Sequence, residues 1–414
     1  MQSLLIFGRQ PELGLAEIQS LYGSTAVRPV GDNNLGAIVD VDPCLLTFDR
    51  LGGAMKFCKV LTVLDTTNWK QIEKFLLQVA PGHSESMPEG KMKLGLSVHG
   101  IDVNIRVMEA AGLNIKKAIR KTGRSVRLVP NKELQLNTAQ VRHNGLTKPT
   151  GWELVFIKDE NQTIVAQTVK VQDIDSYAYR DRDRPKRDAR VGMLPPKLAQ
   201  IIINLAVGKL AESTMQNICD IPADSEVPRP ILGGTVLDPF CGTGVLLQES
   251  LLMGYKAYGT DLEQRMVDYS AANLDWLADK YRTNVEDCRL EKADATSFTW
   301  TAPINWVACE TYLGRPFTTT PTGEILAQTM GDCNLIISKF LRTIYGQIPS
   351  GTRLCLAVPA WQVKAGQFRH LPLVDQISEM GYNRVSFEHI GGNPLLYYRA
   401  DQIVARELIV ITKR

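Results

Sequence analysis

Residues 235–254, TVLDPFCGTGVLLQESLLMG, hold the pattern that decides the fold. An apolar strand pattern ends at Asp238, a glycine-rich turn follows, and a helical pattern begins near Val245. Gly242 and Gly244 carry no β-carbon, which permits the tight turn and lets a ligand approach the backbone. A Gly-x-Gly turn alone is a weak signal, because dinucleotide enzymes use it too. The acid at the end of the strand separates the two readings. Asp238 would repel a pyrophosphate and suits a cationic ligand. A glycine turn of purely structural use in a generic α/β protein is the plain alternative.

In the form Asp-Pro-Phe-Cys-Gly-Thr-Gly, the stretch resembles motif I of class I S-adenosylmethionine-dependent methyltransferases, in the variant typical of amino-group methylators. The next strand pattern, KAYGTDLEQRM, ends in Asp261, 23 residues after Asp238. A carboxylate there can accept hydrogen bonds from ribose hydroxyls; capping the following helix is the alternative. CRLEKADATSF then places Asp294 at the end of a third strand, where the resembled family meets the adenine amino group. The resemblance implies S-adenosylmethionine as cofactor. It implies cofactor contacts from Asp238, Pro239, Cys241, Gly242, Gly244, Asp261, Leu262, Asp294 and Ala295. The stretch 191–206, VGMLPPKLAQIIINLA, resembles the segment that closes over the methionine end and adds Pro195, although Pro195 and Pro196 equally suit a helix start.

Outward from this core, 414 residues are too many for one ordinary hydrophobic core and indicate two or three domains. At 44% hydrophobic and 22% charged the chain has globular composition. Its net charge of +3 is mild, so any affinity for nucleic acid must come from local patches. The eight cysteines are scattered with no CxxC pair, which argues against a zinc knuckle and against a secreted disulfide framework; no metal is expected. MQSLLIFGRQPELGL is broken by Arg9 and Glu12 and makes a poor signal peptide. No run approaches the roughly 18 apolar residues of a membrane span. The expectation is a cytoplasmic protein with no membrane partner.

From residue 195 to 414, strand and helix patterns alternate as in a doubly wound, Rossmann-like α/β domain. Residues 1–65 read as βαββαβ, a ferredoxin-like α+β domain with its second helix over CLLTFDRLGG. Residues 66–170 form a second small α/β unit. Residues 171–194 read as a charged linker, in which Arg180, Arg182, Arg184, Lys186, Arg187 and Arg190 alternate with Asp181, Asp183 and Asp188. That alternation suits contact with RNA and an internally salt-bridged linker equally.

Between residues 116 and 132 lie Lys116, Lys117, Arg120, Lys121, Arg124, Arg127 and Lys132, with no acid among them. Lys116 and Arg120, like Lys117 and Lys121, share a helix face at i,i+4. Most charge runs are solvated helix surface. This one is single-signed and continues beyond the helix through TGRSVRLVPNKE, as a phosphate-binding patch would. The segment resembles the THUMP domain, an RNA-binding module of tRNA-modifying enzymes, and the match extends through LVPNKELQLNTAQVRHNGL. As a whole the chain resembles the family that makes N2-methylguanosine at position 10 of tRNA, most strongly over 125–265 and least over the first 65 residues. That resemblance implies a tRNA substrate. An accessory subunit is neither required nor excluded by any motif.

The resembled family carries Asp/Asn/Ser-Pro-Pro-Tyr/Phe after its fourth strand. There an acid and a proline carbonyl orient the acceptor amine, and an aromatic stacks on the flipped base. Here the loop reads Glu310-Thr311-Tyr312-Leu313-Gly314. Glu310 holds the acidic position, Thr311 still offers a carbonyl, and Tyr312 offers a stacking face one residue early, so these three are the candidate catalytic residues. The loss is proline rigidity. Three other readings stay open on sequence: a different base or nucleic acid, weak activity, or an RNA binder that only senses cofactor.

Overall fold

The computed structural model describes residues 2–43, 45–188, 193–209, 233–317, 319, 321–364, 366–399 and 401–414. Arg190 and the first residues of the 191–206 stretch lie outside them. The chain divides into two compact units: Met1–Pro11, Thr25–Asp49 and Ala54–Ile174 form one, and Glu12–Ser24, Arg50–Gly53 and Asp175–Arg414 the other.

In chain order the first part contains β1 (Ser3–Phe7), α1 (Pro11–Tyr22), β2 (Val27–Val30), β3 (Gly36–Val39), β4 (Ala54–Leu64), α2 (Trp69–Ser86) and β5 (Met92–His99). α3 (Ile105–Arg120), β6 (Val126–Leu128), α4 (Thr138–His143), β7 (Gly151–Asp159) and β8 (Gln162–Val171) follow. The strands make one eight-stranded sheet in the order β2-β3-β1-β4-β8-β7-β5-β6. The sheet therefore does not stop at residue 65, because β4 pairs antiparallel with β8 along most of its length. α2 and α3 cover one face, burying Trp69, Ile72, Leu76, Met108, Ala111, Ile115 and Ile119. Asn68 and Asn104 cap their N-termini, as a side-chain acceptor before a helix should.

Among the described residues of CLLTFDRLGG the expected helix is absent, and only a 3-10 turn at Phe48–Arg50 forms there. Leu46, Phe48 and Leu51 are buried. Their spacing of two and three residues does not fit one helical face, and the glycine pair Gly52-Gly53 ends the segment. The ferredoxin-like order is thus incomplete. α1 also belongs to the second unit rather than to a free-standing N-terminal domain. Its Glu17 accepts the amides of Gly52 and Gly53, each at 2.9 Å, and Asn204 Nδ2 at 2.7 Å.

The second unit continues with α5 (Ile174–Arg182), α6 (Pro196–Val207), β9 (Thr235–Asp238), α7 (Val245–Leu252), β10 (Lys256–Asp261), α8 (Gln264–Tyr281), β11 (Cys288–Lys292) and β12 (Trp306–Glu310). α9 (Gly323–Tyr345), β13 (Arg353–Lys364), β14 (Gln367–Arg369), β15 (Tyr382–Arg384), β16 (Leu395–Tyr397) and β17 (Val404–Lys413) complete it. The sheet order is β11-β10-β9-β12-β13-β17-β15. The five strands from β11 to β13 are parallel, and β17 runs antiparallel to β13. β9, β12 and the first half of β13 are buried on both faces, which is why they read as continuous apolar runs. The order reverses between β9 and β12, the switch point at whose carboxyl edge open α/β sheets bind their ligands.

Part of the expected linker is helical. α5 buries Tyr177 and Arg180, and the Arg180 guanidinium grips the buried Glu249 of α7 with Nε to Oε1 at 2.6 Å and Nη2 to Oε2 at 3.3 Å. The interleaved charges of this segment are therefore partly internal. Among the described residues no helix is long and apolar enough to cross a membrane.

Candidate active site

β9, β10 and β12 end side by side and deliver Asp238, Asp261 and Glu310 to the switch point. Asp238 is 2% exposed, and its Oδ1 accepts the Phe240 amide at 3.2 Å. Burial holds its carboxyl well above the usual range; the Phe240 amide opposes this, and the charges of Asp261 and Glu310 add to it. A bound cation would favour the ionised form of a buried acid so placed.

The turn that follows is held open by backbone geometry. Pro239, Cys241, Gly242 and Gly244 are all buried. Gly242 has φ +52° and Gly244 φ +83°, the left-handed region where a side chain is strained. A β-carbon on Gly244 would also lie 2.9 Å from Ser270 Oγ. The turn is tied to the next strand by the Gly242 amide, which donates to Asp261 Oδ2 at 3.0 Å. Asp261 Oδ1 accepts the Glu263 amide at 3.0 Å. Burial raises the Asp261 carboxyl, and these two amides pull it back. Leu262, 65% exposed, stands next to it as an apolar surface at the mouth.

Asp294 sits apart from this pattern of burial. It is exposed, and its Oδ1 caps the following turn by accepting Thr296 N at 2.9 Å and Thr296 Oγ1 at 2.7 Å. The next residue, Ala295, is buried. Pro195 forms the N-cap of α6 with φ −67°, which fits the helix-start alternative raised by the sequence.

In the loop after β12, Thr311 is fixed by the sheet in place of a proline ring. Its amide donates to Ala357 O at 3.0 Å and its Oγ1 to the same oxygen at 3.1 Å. Gly314, at φ +81°, packs so closely on α9 that a β-carbon would lie 2.6 Å from Thr329 Cγ2. Tyr312 is 43% exposed. Glu310 accepts from Nε of Arg406, a buried residue of β17, so the acid that opens the loop is clamped by an ion pair.

The sequence reading singles out neither Arg406 nor Asn273. A lone cation inside the buried run IVARELIVIT was a usable signal, since a buried charge needs a partner. Asn273 on α8 bridges the connector and the glycine turn. It donates to Lys186 O and Thr243 O, both at 2.9 Å, and accepts the Lys186 amide at 2.9 Å. Arg184 lies in that same connector and is treated below.

The thiols of Cys241 and Cys309 are pushed well up by burial, so they stay protonated and take no nucleophilic part. Among the described residues no three His, Cys, Asp or Glu side chains come together as a metal site. The donor set fits S-adenosylmethionine. Gly242 and Gly244 let the ligand close on the backbone, Asp261 matches a ribose diol, and Asp238 supplies negative charge for a cation.

In the first unit, Lys117, Arg120, Lys121, Arg127 and Lys132 are exposed and Lys116 is half-buried. Arg124 is the exception. Its guanidinium donates to the carbonyls of Ser84, Met87 and Pro88 at the C-terminus of α2, where unsatisfied carbonyls attract a cation. Arg124 is thus spent on structure.

No family model matches the chain. In sequence it is similar to archaeal proteins named tRNA (guanine(10)-N2)-dimethyltransferase. The identity is 28% over 174 residues with that of Methanothermobacter thermautotrophicus, 41% of this chain and 39% of the relative. It is 32% over 130 residues with that of Methanocaldococcus jannaschii, 31% and 30% of the two chains. It is 25% over 197 residues with that of Pyrococcus abyssi, 46% and 47%. The matched stretch covers less than half the length of each relative. In structure the chain is similar to TrmN from Thermus thermophilus, with a TM-score of 0.52 and 14% identity over the whole of both chains. That likeness is one of fold.

Proposed function

We propose that the chain transfers a methyl group from S-adenosylmethionine to the exocyclic N2 of a guanosine in tRNA, at position 10. The observation that carries the reading is the placement of Glu310 at the end of β12, beside Asp238 and across the switch point from the glycine turn. When bound, the cofactor supplies a methyl group on a cationic sulfur, which leaves as a neutral thioether in an in-line displacement. Glu310 accepts a hydrogen bond from the amine and holds its nitrogen in line, and the proton that the methylated nitrogen sheds passes to this carboxylate or to water. The Thr311 carbonyl is fixed next to it through the bonds to Ala357, and Tyr312 offers a ring face to the base. The names of the archaeal relatives support guanine N2 and tRNA. The first unit acts as a THUMP-type module whose exposed cations meet RNA phosphates.

Incubation with labelled S-adenosylmethionine and unmodified tRNA, followed by nucleoside digestion, tests this. N2-methylguanosine is the expected product. Methyladenosine would overturn the base assignment, and no incorporation despite cofactor and tRNA binding would overturn the enzyme reading.

Two expected results concern binding. Affinity for the cationic cofactor rises with pH as the elevated Asp238 carboxyl ionises, then levels off. Calorimetry of Asp238→Asn should show weaker binding with that pH dependence gone. In the unliganded protein the sign is opposite: a carboxyl raised in the folded state contributes stability at low pH that is lost as pH rises through its folded value. For RNA, replacing Lys117, Arg120 and Lys121 by Gln lowers the slope of log affinity against log salt by about 0.7–0.9 per lost phosphate contact. Arg124→Ala leaves that slope unchanged and lowers the melting temperature instead.

A further inference from the structure

Arg184 is 3% exposed, yet two of its three guanidinium nitrogens, Nε and Nη2, have no hydrogen-bond partner among the described residues. The third, Nη1, donates to Thr243 Oγ1 at 3.3 Å. Thr243 stands between Gly242 and Gly244 in the cofactor turn. A guanidinium is charged at any working pH and buried without an anion at considerable cost. Burial pushes its pKa down, and of the neighbouring charges Asp181 opposes the shift while Arg187 adds to it. The position is not a loose one. Asn273 ties Lys186, two residues on, to the backbone of Thr243. The connector and the glycine turn are therefore one braced structure, with Arg184 set into it and two N–H directions unanswered.

The amino-acid end of S-adenosylmethionine carries one ammonium and one carboxylate. Asp238, buried at the start of the same turn, offers the negative charge that the ammonium needs, and nothing else described at the turn offers a cation. We propose that Arg184 binds the carboxylate of the cofactor's amino-acid end, so that Arg184 and Asp238 together read the zwitterion. This rests on the cofactor assignment made above. A planar, bidentate match between guanidinium and carboxylate uses two parallel N–H groups, and two are open here. An RNA phosphate is the other anion the site could meet, and weaker tRNA binding with unchanged ligand discrimination would mark it.

The test compares two ligands by equilibrium calorimetry: S-adenosylmethionine and its decarboxylated form, which keeps the sulfonium, ribose and adenine and lacks only the carboxylate. The wild-type chain should prefer the intact ligand by about 10- to 100-fold, the span of charge-assisted hydrogen bonds. Arg184→Gln should bind both ligands alike, at the wild-type affinity for the decarboxylated one. Arg184→Lys should recover part of the preference. Unliganded Arg184→Gln should melt no lower than wild type, because it removes a buried charge with no hydrogen-bonded anion among the described residues. Equal weakening of both ligands by Arg184→Gln would mark a merely structural role and overturn the proposal. So would unchanged discrimination accompanied by weaker tRNA binding. If the wild-type chain binds neither ligand, the cofactor assignment itself fails, and that result is distinct from the others.

Discussion

Glu310→Ala is expected to lower the turnover number for methyl transfer by about a thousandfold while leaving S-adenosylmethionine affinity within about twofold. The side chain stands at the end of β12, where the proposed reaction holds the acceptor amine, and its ion pair is with Arg406 of β17. Two effects must be separated. Removing the carboxylate takes away the acceptor for the amine. It also leaves the Arg406 guanidinium buried without its partner, which costs about 3–5 kcal/mol when a buried pair is broken on one side. Glu310→Gln keeps an acceptor for Arg406 and should fold like the wild type, with turnover down by about 10- to 100-fold. Glu310→Ala combined with Arg406→Met should regain the lost stability and stay inactive. Single-turnover assays, cofactor titrations and thermal melts of the three variants read these outcomes. Normal transfer by Glu310→Ala would show that the acceptor amine is held elsewhere.

The second large effect is on stability. Glu153→Ala should destabilise the first unit by about 3–5 kcal/mol, a large part of the roughly 5–15 kcal/mol that holds a domain together. Glu153 lies in β7, an interior strand of the eight-stranded sheet, and is fully buried. Its Oε1 accepts Lys56 Nζ at 2.5 Å and Ser97 Oγ at 2.6 Å, and its Oε2 accepts Thr168 Oγ1 at 2.6 Å. Lys56 also donates to Leu136 O at 2.9 Å. Removing the acid strands a buried ammonium and two hydroxyls. The network joins β4, β5, β7 and β8, so the loss falls on the register of the whole sheet. Replacing the pair together, with Lys56→Met and Glu153→Leu, should bring stability back to within about 1 kcal/mol of wild type or above it. Urea unfolding followed by circular dichroism measures both variants. Equal losses in the single and double variants would mean that the hydroxyls, and not the ion pair, carry the effect.

The short apolar strands and their glycine punctuation fixed the doubly wound unit, because strand and helix periodicity are local properties. The positions of Asp238, Gly242, Gly244 and Asp261 at the strand ends and in the turn are local for the same reason: the turn chemistry that places them spans only a few residues on either side. Glu310 falls at the end of β12 by its order in the strand series. The reading failed where tertiary contacts outweighed local pattern. CLLTFDRLGG is apolar enough for a helix but buries its side chains in directions no single helix face offers. The break placed at residue 65 is invisible in the sheet, because the pairing of β4 with β8 joins residues about a hundred positions apart.

Charge was the least readable feature. In sequence Arg124, Arg180, Arg184 and Arg406 look like their exposed neighbours, since burial is a property of the folded chain and not of the residue type. Only the tertiary structure assigned Arg124 to the end of α2, Arg180 to Glu249 and Arg406 to Glu310, and left Arg184 buried beside the glycine turn with two donors unpaired among the described residues. What the sequence determines by itself is the alternation of strands and helices and the glycine turn, with the acids at the strand ends marked by their resemblance to a known motif series. Which cations answer those acids was decided by the fold, because a buried charge takes its meaning from whatever long-range packing brings within reach.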